Sequence, residues 1–295
     1  MKTKITLLFL ALFGITTHVF SQITAPADTT KKKDTTKLGK IVNKIINDST
    51  PRKETKKDTL LEKKLEKRFY GPRQFIHETF LFFETPIHWR STDWIRFGIT
   101  VAGTAALLPF DGTFNKLTQG NQHYYGSVPI VGGRIYGEWY TIGAITVAFA
   151  GYGIIRHDTA AKKIAIELFQ AGVYAEVLTE ILKVTVGRSR PYENEGPYRF
   201  RPFNLNNNFE SFSSGHATSA MALSTVMFRH AHKTFWKIMA FVPAGFTVFS
   251  RLYQDFHWPS DLFFGSATGF ATGLWIVNLH EGRRHKIKLP PDSKP

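Results

Sequence analysis

The stretch from Ser250 to Asp261 combines an arginine, a histidine and an aspartate beside an apolar segment. Arg251 precedes His257 by six positions, and Asp261 follows His257 by four. A guanidinium group can bind two phosphate oxygens at once, and an imidazole can attack phosphorus when a carboxylate fixes its tautomer. This spacing therefore predicts a phosphate-binding cation next to a nucleophile and its orienting carboxylate.

Two groups of residues upstream favour the same chemistry. Lys183 and Arg190 stand seven positions apart, and Ser214 and Gly215 come just before His216 and an apolar run. Backbone N–H groups at a helix N-terminus can bind an anion, and a glycine there lets the anion approach closely. These residues predict a phosphate site, although Ser214 alone would equally fit an ordinary helix N-cap.

Taken together, the three groups resemble the signature of the type 2 phosphatidic acid phosphatase superfamily, which also contains bacterial nonspecific acid phosphatases and vanadium haloperoxidases. That signature reads K-x6-R-P, then P-S-G-H, then S-R-x5-H-x3-D. The sequence departs from it at Ser213, where the family has proline. The likeness extends from about Trp94 to Leu279.

The resemblance implies a role for each matching residue. His257 would attack phosphorus and form a phosphohistidine, Asp261 would orient its imidazole, and His216 would act as general acid and then activate water. Because one histidine must start neutral and the other charged, a bell-shaped pH dependence is expected. The implied phosphate-binding residues are Lys183, Arg190, Ser214, Gly215 and Arg251.

No metal or cofactor is expected at this site. The nearby carboxylates Glu193, Glu195 and Asp255 do not form a ligand cluster of the usual kind, and we interpret them as rim residues. The chain contains no cysteine, which excludes disulfides, a thiolate nucleophile and cysteine metal sites. Residues 192–212 predict a loop over the mouth of the site, or else an ordinary surface loop.

Beyond Gly71 the sequence is rich in apolar and aromatic residues and shows no strand-like alternation. The pattern predicts an all-α fold, a bundle of about six apolar helices preceded by an amphipathic helix over residues 75–83. The predicted apolar helices cover residues 94–108, 138–155, 163–186, 215–228, 236–249 and 261–279.

The N-terminal quarter has a different character. Residues 1–21 carry two lysines before a short apolar run, which is typical of a secretory signal peptide; an uncleaved anchor helix is the alternative. Residues 22–70 predict a basic, disordered linker. We expect the helical phosphatase domain over residues 71–280 and a basic C-terminal tail over residues 281–295.

Much of the positive charge lies in the predicted linker. The chain has a net charge of +15, and the segment from Lys31 to Arg68 contains 14 Lys and Arg against 6 Asp and Glu. A basic arm on an exported protein favours anionic lipid headgroups over nucleic acid as a partner. A solvated spacer without a partner is the plainer interpretation.

The helices leave two localisations open. Several apolar runs are shorter than the 20 or so residues that a membrane span needs. The basic connectors 156–163, 229–233 and 281–288 lie opposite the three motifs, which favours a periplasm-facing site in the inner membrane. Six crossings after a cleaved signal peptide would invert that orientation. Either one helix is not a crossing, the signal is retained, or the bundle is soluble or peripheral.

The predicted function is a metal-independent phosphohydrolase that acts on a lipid phosphate or diphosphate at the periplasmic face of the membrane. Its expected partners are a phosphorylated lipid and the membrane, with no nucleic acid. A soluble periplasmic nonspecific acid phosphatase would share the chemistry, and so would the anion pocket of a vanadate-dependent haloperoxidase. A non-catalytic anion-binding envelope protein is the alternative of another class.

Overall fold

The computed structural model describes residues 72–120 and 122–282, and this part of the chain is an α-helical bundle. The expected all-α fold is confirmed. The predicted signal peptide, the basic linker and the C-terminal tail beyond residue 282 lie outside the described residues. The α-helices are α1 Pro72–Glu84, α2 Ser91–Leu107, α3 Asp111–Gln119, α4 Val128–Tyr136, α5 Trp139–Ile155, α6 Thr159–Val186, α7 Gly215–His230, α8 Thr234–Met239, α9 Val242–Tyr253 and α10 Pro259–His280.

Helices α6, α7 and α10 form the centre of the bundle. Every residue of α7 from Ala217 to Val226 is buried, so this helix is surrounded by others. Small residues allow a close approach on the α10 side, where a Cβ on Gly265 would lie 2.8 Å from the Ser214 carbonyl oxygen. A Cβ on Gly273 would lie 2.9 Å from the Ala222 carbonyl oxygen. This close contact fixes the N-terminus of α7 beside that of α10.

Helix α4 was not predicted, because two adjacent glycines made its sequence unlike a helix. One of them, Gly133, packs against the backbone of Phe246 in α9, where a side chain would collide. Thr247 Oγ1 donates a hydrogen bond to the Gly133 carbonyl at 2.6 Å, and Ser250 Oγ donates to the Ile130 carbonyl at 2.7 Å. Tertiary packing thus overrides weak helix propensity and holds α9 in place.

The predicted single helix over residues 236–249 is wrong. The structure divides it into α8 and α9, with the break at Ala240 and Phe241. Pro243 lies in the first turn of α9, where its missing N–H costs nothing, whereas it would remove a hydrogen bond inside a continuous helix.

Buried charges join the helices at the end of the bundle where α6 begins and α7 and α10 end. Glu167 accepts from His230 Nε2 at 2.5 Å and contacts His280 Nδ1 at 3.2 Å. Glu78 of α1 contacts His280 Nε2 at 3.4 Å and accepts from Gln170 at 2.5 Å. We call this the polar-lock end and the other end, where the three sequence motifs lie, the motif end.

Two helical stretches among the described residues are long and apolar enough to cross a membrane, by length and composition alone. They are Ser91–Gln119 and Pro259–His280. Large apolar side chains are also exposed on α2 and α5, including Trp94, Phe97 and Val147.

Candidate active site

The ends of three central helices bring the predicted anion-binding residues together at the motif end. Lys183 lies in the last turn of α6, and Gly215 begins α7. A Cβ on Gly215 would lie 3.7 Å from Lys183 Nζ, so the lysine reaches the N-terminus of α7. Lys183 Nζ also pairs with Glu180 Oε1 at 2.6 Å.

Two arginines from different elements converge on one aromatic ring. Arg251 Cζ lies 4.8 Å from the centre of the Phe256 ring, and Arg190 Cζ lies 5.6 Å from the same centre. The Nε atoms of Arg190 and Arg251 are buried and have no hydrogen-bond partner among the described residues. Unpaired guanidinium donors beside Lys183 are suited to a multivalent anion.

His257 lies buried next to these cations. Its Nδ1 is 2.8 Å from the carbonyl oxygen of Ser211. Because a carbonyl can only accept, Nδ1 carries the proton and Nε2 keeps its lone pair for attack. Burial lowers the pKa of His257 well below its usual range, and the charges of Arg190 and Lys183 lower it further. The imidazole is therefore neutral at physiological pH.

Asp261 is placed differently from the expectation that it would contact His257. Its carboxylate accepts from Ser211 Oγ at 2.5 Å, from the Trp258 backbone N–H at 3.0 Å and from Arg188 Nη1 at 2.5 Å. It reaches the histidine through Ser211, whose hydroxyl donates to Asp261 and whose carbonyl accepts from His257. Asp261 therefore acts on the orientation of His257 only through Ser211.

Sequence reasoning missed a buried ion pair behind this arrangement. Arg188 Nη2 donates to Asp111 Oδ2 at 2.7 Å, and Asp111 also accepts from the Ser260 backbone N–H at 3.0 Å. Arg188 lies two positions before Arg190, inside the first motif, which was a readable signal. Asp111 had none, because it comes from α3, far from the motifs in the sequence.

His216 lies in the first turn of α7, close enough to Arg251 to be affected by its charge. Glu138 Oε1 is 3.1 Å from its Nε2, although the two atoms are not in hydrogen-bond geometry. Burial, followed by the charge of Arg251, lowers the pKa of His216 to about 4, while Glu138 acts in the opposite direction. His216 is therefore neutral when no anion is bound. Glu138 was not predicted, since it lies outside the motifs.

Ser214 is the N-cap of α7. Its Oγ accepts a long hydrogen bond, 3.4 Å, from the Ala217 N–H. The capping interpretation of Ser214 is thus correct, and its phosphate-binding role remains a prediction. Within the described ranges, His, Asp and Glu side chains form no group of three or more that could hold a metal ion.

Comparison with protein families identifies the segment that carries this site. The model of the PAP2 superfamily matches residues 165–285. This segment is similar to the PAP2 superfamily. It contains all eight predicted site residues, from Lys183 to Asp261, and confirms the resemblance inferred from the motifs. Asp111 and Glu138 lie outside it.

Curated relatives of the chain include proteins named as lipid phosphatases. A lipid A 1-phosphatase from Rhizobium etli is 31% identical over 159 residues, which are 50% of this chain and 66% of the relative. An undecaprenyl-diphosphatase from Sulfolobus acidocaldarius is 30% identical over 119 residues, 40% of this chain and 54% of the relative. The chain thus spans just under two thirds of the first relative and about half of the second.

Among solved structures, LpxE of Aquifex aeolicus is similar to this chain, with 21% sequence identity and a TM-score of 0.45. The likeness covers 57% of this chain and 95% of that one.

Proposed function

We propose that this protein is a metal-independent phosphohydrolase that acts on a lipid phosphate or diphosphate through a phosphohistidine intermediate. The observation that carries the proposal is that Lys183 and Arg190 act on the buried His257, whose lone pair is at Nε2, while Arg251 packs on the same Phe256 ring as Arg190. Partly unpaired cations provide the charge that a phosphate needs, and the neutral imidazole provides the nucleophile.

In the first step, His257 Nε2 attacks phosphorus while the bond to the leaving oxygen breaks. The three cations stabilise the equatorial oxygens, where negative charge spreads in the transition state. His216 gives its proton to the leaving oxygen. It can hold that proton because the bound phosphate opposes the cation charges that lower the pKa of His216 in the empty site.

In the second step, water attacks the phosphohistidine. The neutral His216 takes a proton from the water as the P–O bond forms and the P–N bond breaks. His257 regains its neutral form, and His216 is again protonated while the phosphate is still bound. When inorganic phosphate leaves, His216 releases to solvent the proton that it took up on substrate binding. No redox partner or cofactor enters this sequence.

A lipid substrate is supported by the surroundings of the site. Two helical stretches can cross a membrane, and apolar side chains cover the outer surface of α2 and α5. The two curated relatives are named for lipid A and for undecaprenyl diphosphate. We propose the same class of substrate, a phosphate ester or anhydride on a lipid, for this chain.

We further propose that the protein lies in the inner membrane of a bacterial envelope with its site facing the periplasm. Basic residues of the connectors, Lys162 and Lys163 at the start of α6 and Arg229 at the end of α7, lie at the polar-lock end. By the positive-inside rule, this charge supports a cytoplasmic position for that end. A signal peptide over residues 1–21 would fit export of the remainder.

The test is phosphate release from lipid and water-soluble esters by the purified full chain, with and without a metal chelator. The proposal expects turnover of at least one lipid phosphate, no loss with chelator, and no turnover by the His257→Ala variant. Wild-type turnover by His257→Ala would refute the mechanism, and release of active protein by osmotic shock without detergent would refute the membrane location.

A further inference from the structure

Two large apolar side chains protrude at the motif end from a loop that the proposed reaction does not use. Phe203 is 75% exposed and Leu205 is 78% exposed. They belong to residues 199–205, where arginines alternate with apolar residues in the order Arg-Phe-Arg-Pro-Phe-Asn-Leu. We call this segment the Arg-Phe loop.

The exposure is not that of a loose loop tip, because the backbone of the Arg-Phe loop is fixed to the end of α6. The Arg201 N–H donates to the Gly187 carbonyl at 2.6 Å, and the Phe203 N–H donates to the Val184 carbonyl at 2.6 Å. Gly187 has φ +59°, and a side chain there would collide with the Arg201 carbonyl. The loop is therefore built to hold Phe203 and Leu205 outward.

An apolar strip continues from this loop along the outer face of α6. Val177 is 41% exposed and Ile181 is 46% exposed, and their spacing of four places them on one face of the helix. The strip leads toward Val184, whose carbonyl accepts the hydrogen bond from the Phe203 N–H. Exposed apolar side chains grouped in this way indicate contact with a lipid phase or a partner, although the side chain of Glu180 beside them is 54% exposed.

The charge of the Arg-Phe loop decides between a lipid phase and a partner. The side chain of Arg199 is 53% exposed and that of Arg201 is 44% exposed. A single carboxylate, Glu195, lies near both, at 3.9 Å from Arg199 and 3.4 Å from Arg201. The loop thus carries excess positive charge next to apolar side chains, a combination that matches the phosphate headgroups and acyl chains of an anionic bilayer.

We infer that the Arg-Phe loop docks on the surface of an anionic lipid bilayer, with Phe203 and Leu205 among the acyl chains and Arg199 and Arg201 on lipid phosphates. The effect of this docking on catalysis rests on the proposed function. Docking at the motif end holds the phosphate site next to the headgroups. A phosphorylated lipid then reaches His257 without leaving the bilayer.

The test compares one activity in three settings, using the full chain and the double variant Phe203→Ser, Leu205→Ser. The settings are a lipid phosphate in reconstituted anionic vesicles, the same lipid in neutral detergent micelles, and a water-soluble phosphate ester. The double variant is expected to lose about tenfold or more in kcat/KM in vesicles and to stay near the parent in the other two settings. The exchange variant Phe203→Leu, Leu205→Phe keeps the apolar surface and should match the parent throughout.

Each other outcome overturns the inference. An equal loss in micelles would mean that the two side chains contact the substrate's own chains, and no loss in vesicles would mean that they contact no lipid. Replacing the anionic vesicles by zwitterionic ones should reduce the advantage of the parent, because the headgroup cations then neutralise the phosphates that Arg199 and Arg201 contact.

A second measurement does not depend on activity. Since the chain has no cysteine, the single variant Leu205→Cys can be labelled with an environment-sensitive fluorophore. In anionic vesicles we expect blue-shifted emission that quenchers on lipid chains suppress. Emission typical of water would overturn the docking surface. Should no ester be hydrolysed in any setting, the proposed function fails, while the fluorophore still decides whether the loop meets lipid.

Discussion

The two ends of the bundle both bury charged residues, but they satisfy them differently. At the polar-lock end, Glu167 lies between His230 and His280, and Arg229 pairs with Glu281 at 2.5 Å. At the motif end, Arg251 forms no ion pair with a carboxylate in the described part of the chain, and Arg190 Nη2 lies 3.9 Å from Glu210 Oε2.

This difference separates residues that stabilise the fold from residues that are suited to binding a ligand. A buried cation that is paired with a carboxylate is satisfied within the protein, whereas a buried cation without a close carboxylate is costly and is suited to an anionic ligand. We propose that an anion completes the motif end, whereas the ion pairs of the polar-lock end hold helices together. Substitutions at the motif end should therefore lower turnover, and substitutions at the polar-lock end should lower stability without lowering turnover.

The largest expected effect comes from removing a cation at the motif end. Arg251→Ala should lower kcat/KM about a hundredfold or more, because one fixed donor to the transition-state oxygens is lost. Arg229→Ala, the matched change at the polar-lock end, should leave turnover within a few-fold. Steady-state kinetics on one lipid phosphate checks both. Equal losses from the two variants would erase the distinction between the ends.

The buried pair of Arg188 and Asp111 sharpens the comparison, because it supports the motif end without belonging to the anion site. Asp111→Asn should destabilise the fold by about 3 kcal/mol, since it removes one partner of a buried charge pair. It should also lower kcat, because the amide keeps only one oxygen acceptor for the two donors behind Asp261, the Ser260 N–H and Arg188.

Thermal unfolding in detergent and kinetics measure these two effects. Glu167→Gln at the polar-lock end is the control and should destabilise without changing kcat per folded molecule. A normal kcat for Asp111→Asn would show that the ion pair does not support the reaction.

The pH dependence of anion binding tests whether an anion offsets the positive charge of the motif end. In the empty site the pKa of His216 is about 4, and a bound anion raises it. Anion binding is therefore accompanied by uptake of a proton at every pH between the pKa of His216 in the empty site and its raised pKa in the complex. The affinity for vanadate should rise as the pH falls in that window, by up to about tenfold per unit, and level off below pH 4.

Isothermal titration in buffers of different ionisation enthalpy measures the uptake directly. His216→Gln should abolish it. Vanadate affinity that is independent of pH in the parent protein would contradict the electrostatic picture of the site.

The smallest effect is expected at Ser214, which caps α7. Ser214→Ala should cost about 1 kcal/mol of stability by losing the bond to the Ala217 N–H. If capping is its main role, Ser214→Asn should restore stability and retain most of the turnover. Unfolding curves and kinetics of the two variants separate capping from phosphate binding, for which the hydroxyl itself is needed.

The sequence predicted the central helices because α6, α7 and α10 are long apolar runs with clear boundaries. It missed α4, whose Gly132 and Gly133 have low helix propensity and become helical by packing on α9. The break between α8 and α9 at Phe241 was also missed, although Pro243 marked it.

The site, too, could be predicted from the sequence only in part. His257 and Arg251 were predictable because the family spacing places them within a few residues of each other. The contact of Arg188 with Asp111 joins positions 77 residues apart, so no local pattern reports it. The Ser211 carbonyl that meets His257 is backbone, which a side-chain motif cannot indicate.

The central claim is that His257 attacks a phosphate held by the three cations. The most direct measurement is a rapid alkaline quench during turnover, followed by peptide mass spectrometry to locate covalent phosphate. The account predicts phosphate on His257 in the parent protein, and more of it in His216→Gln, where water is no longer activated. Phosphate on another residue, or turnover that proceeds with none on His257, would contradict it.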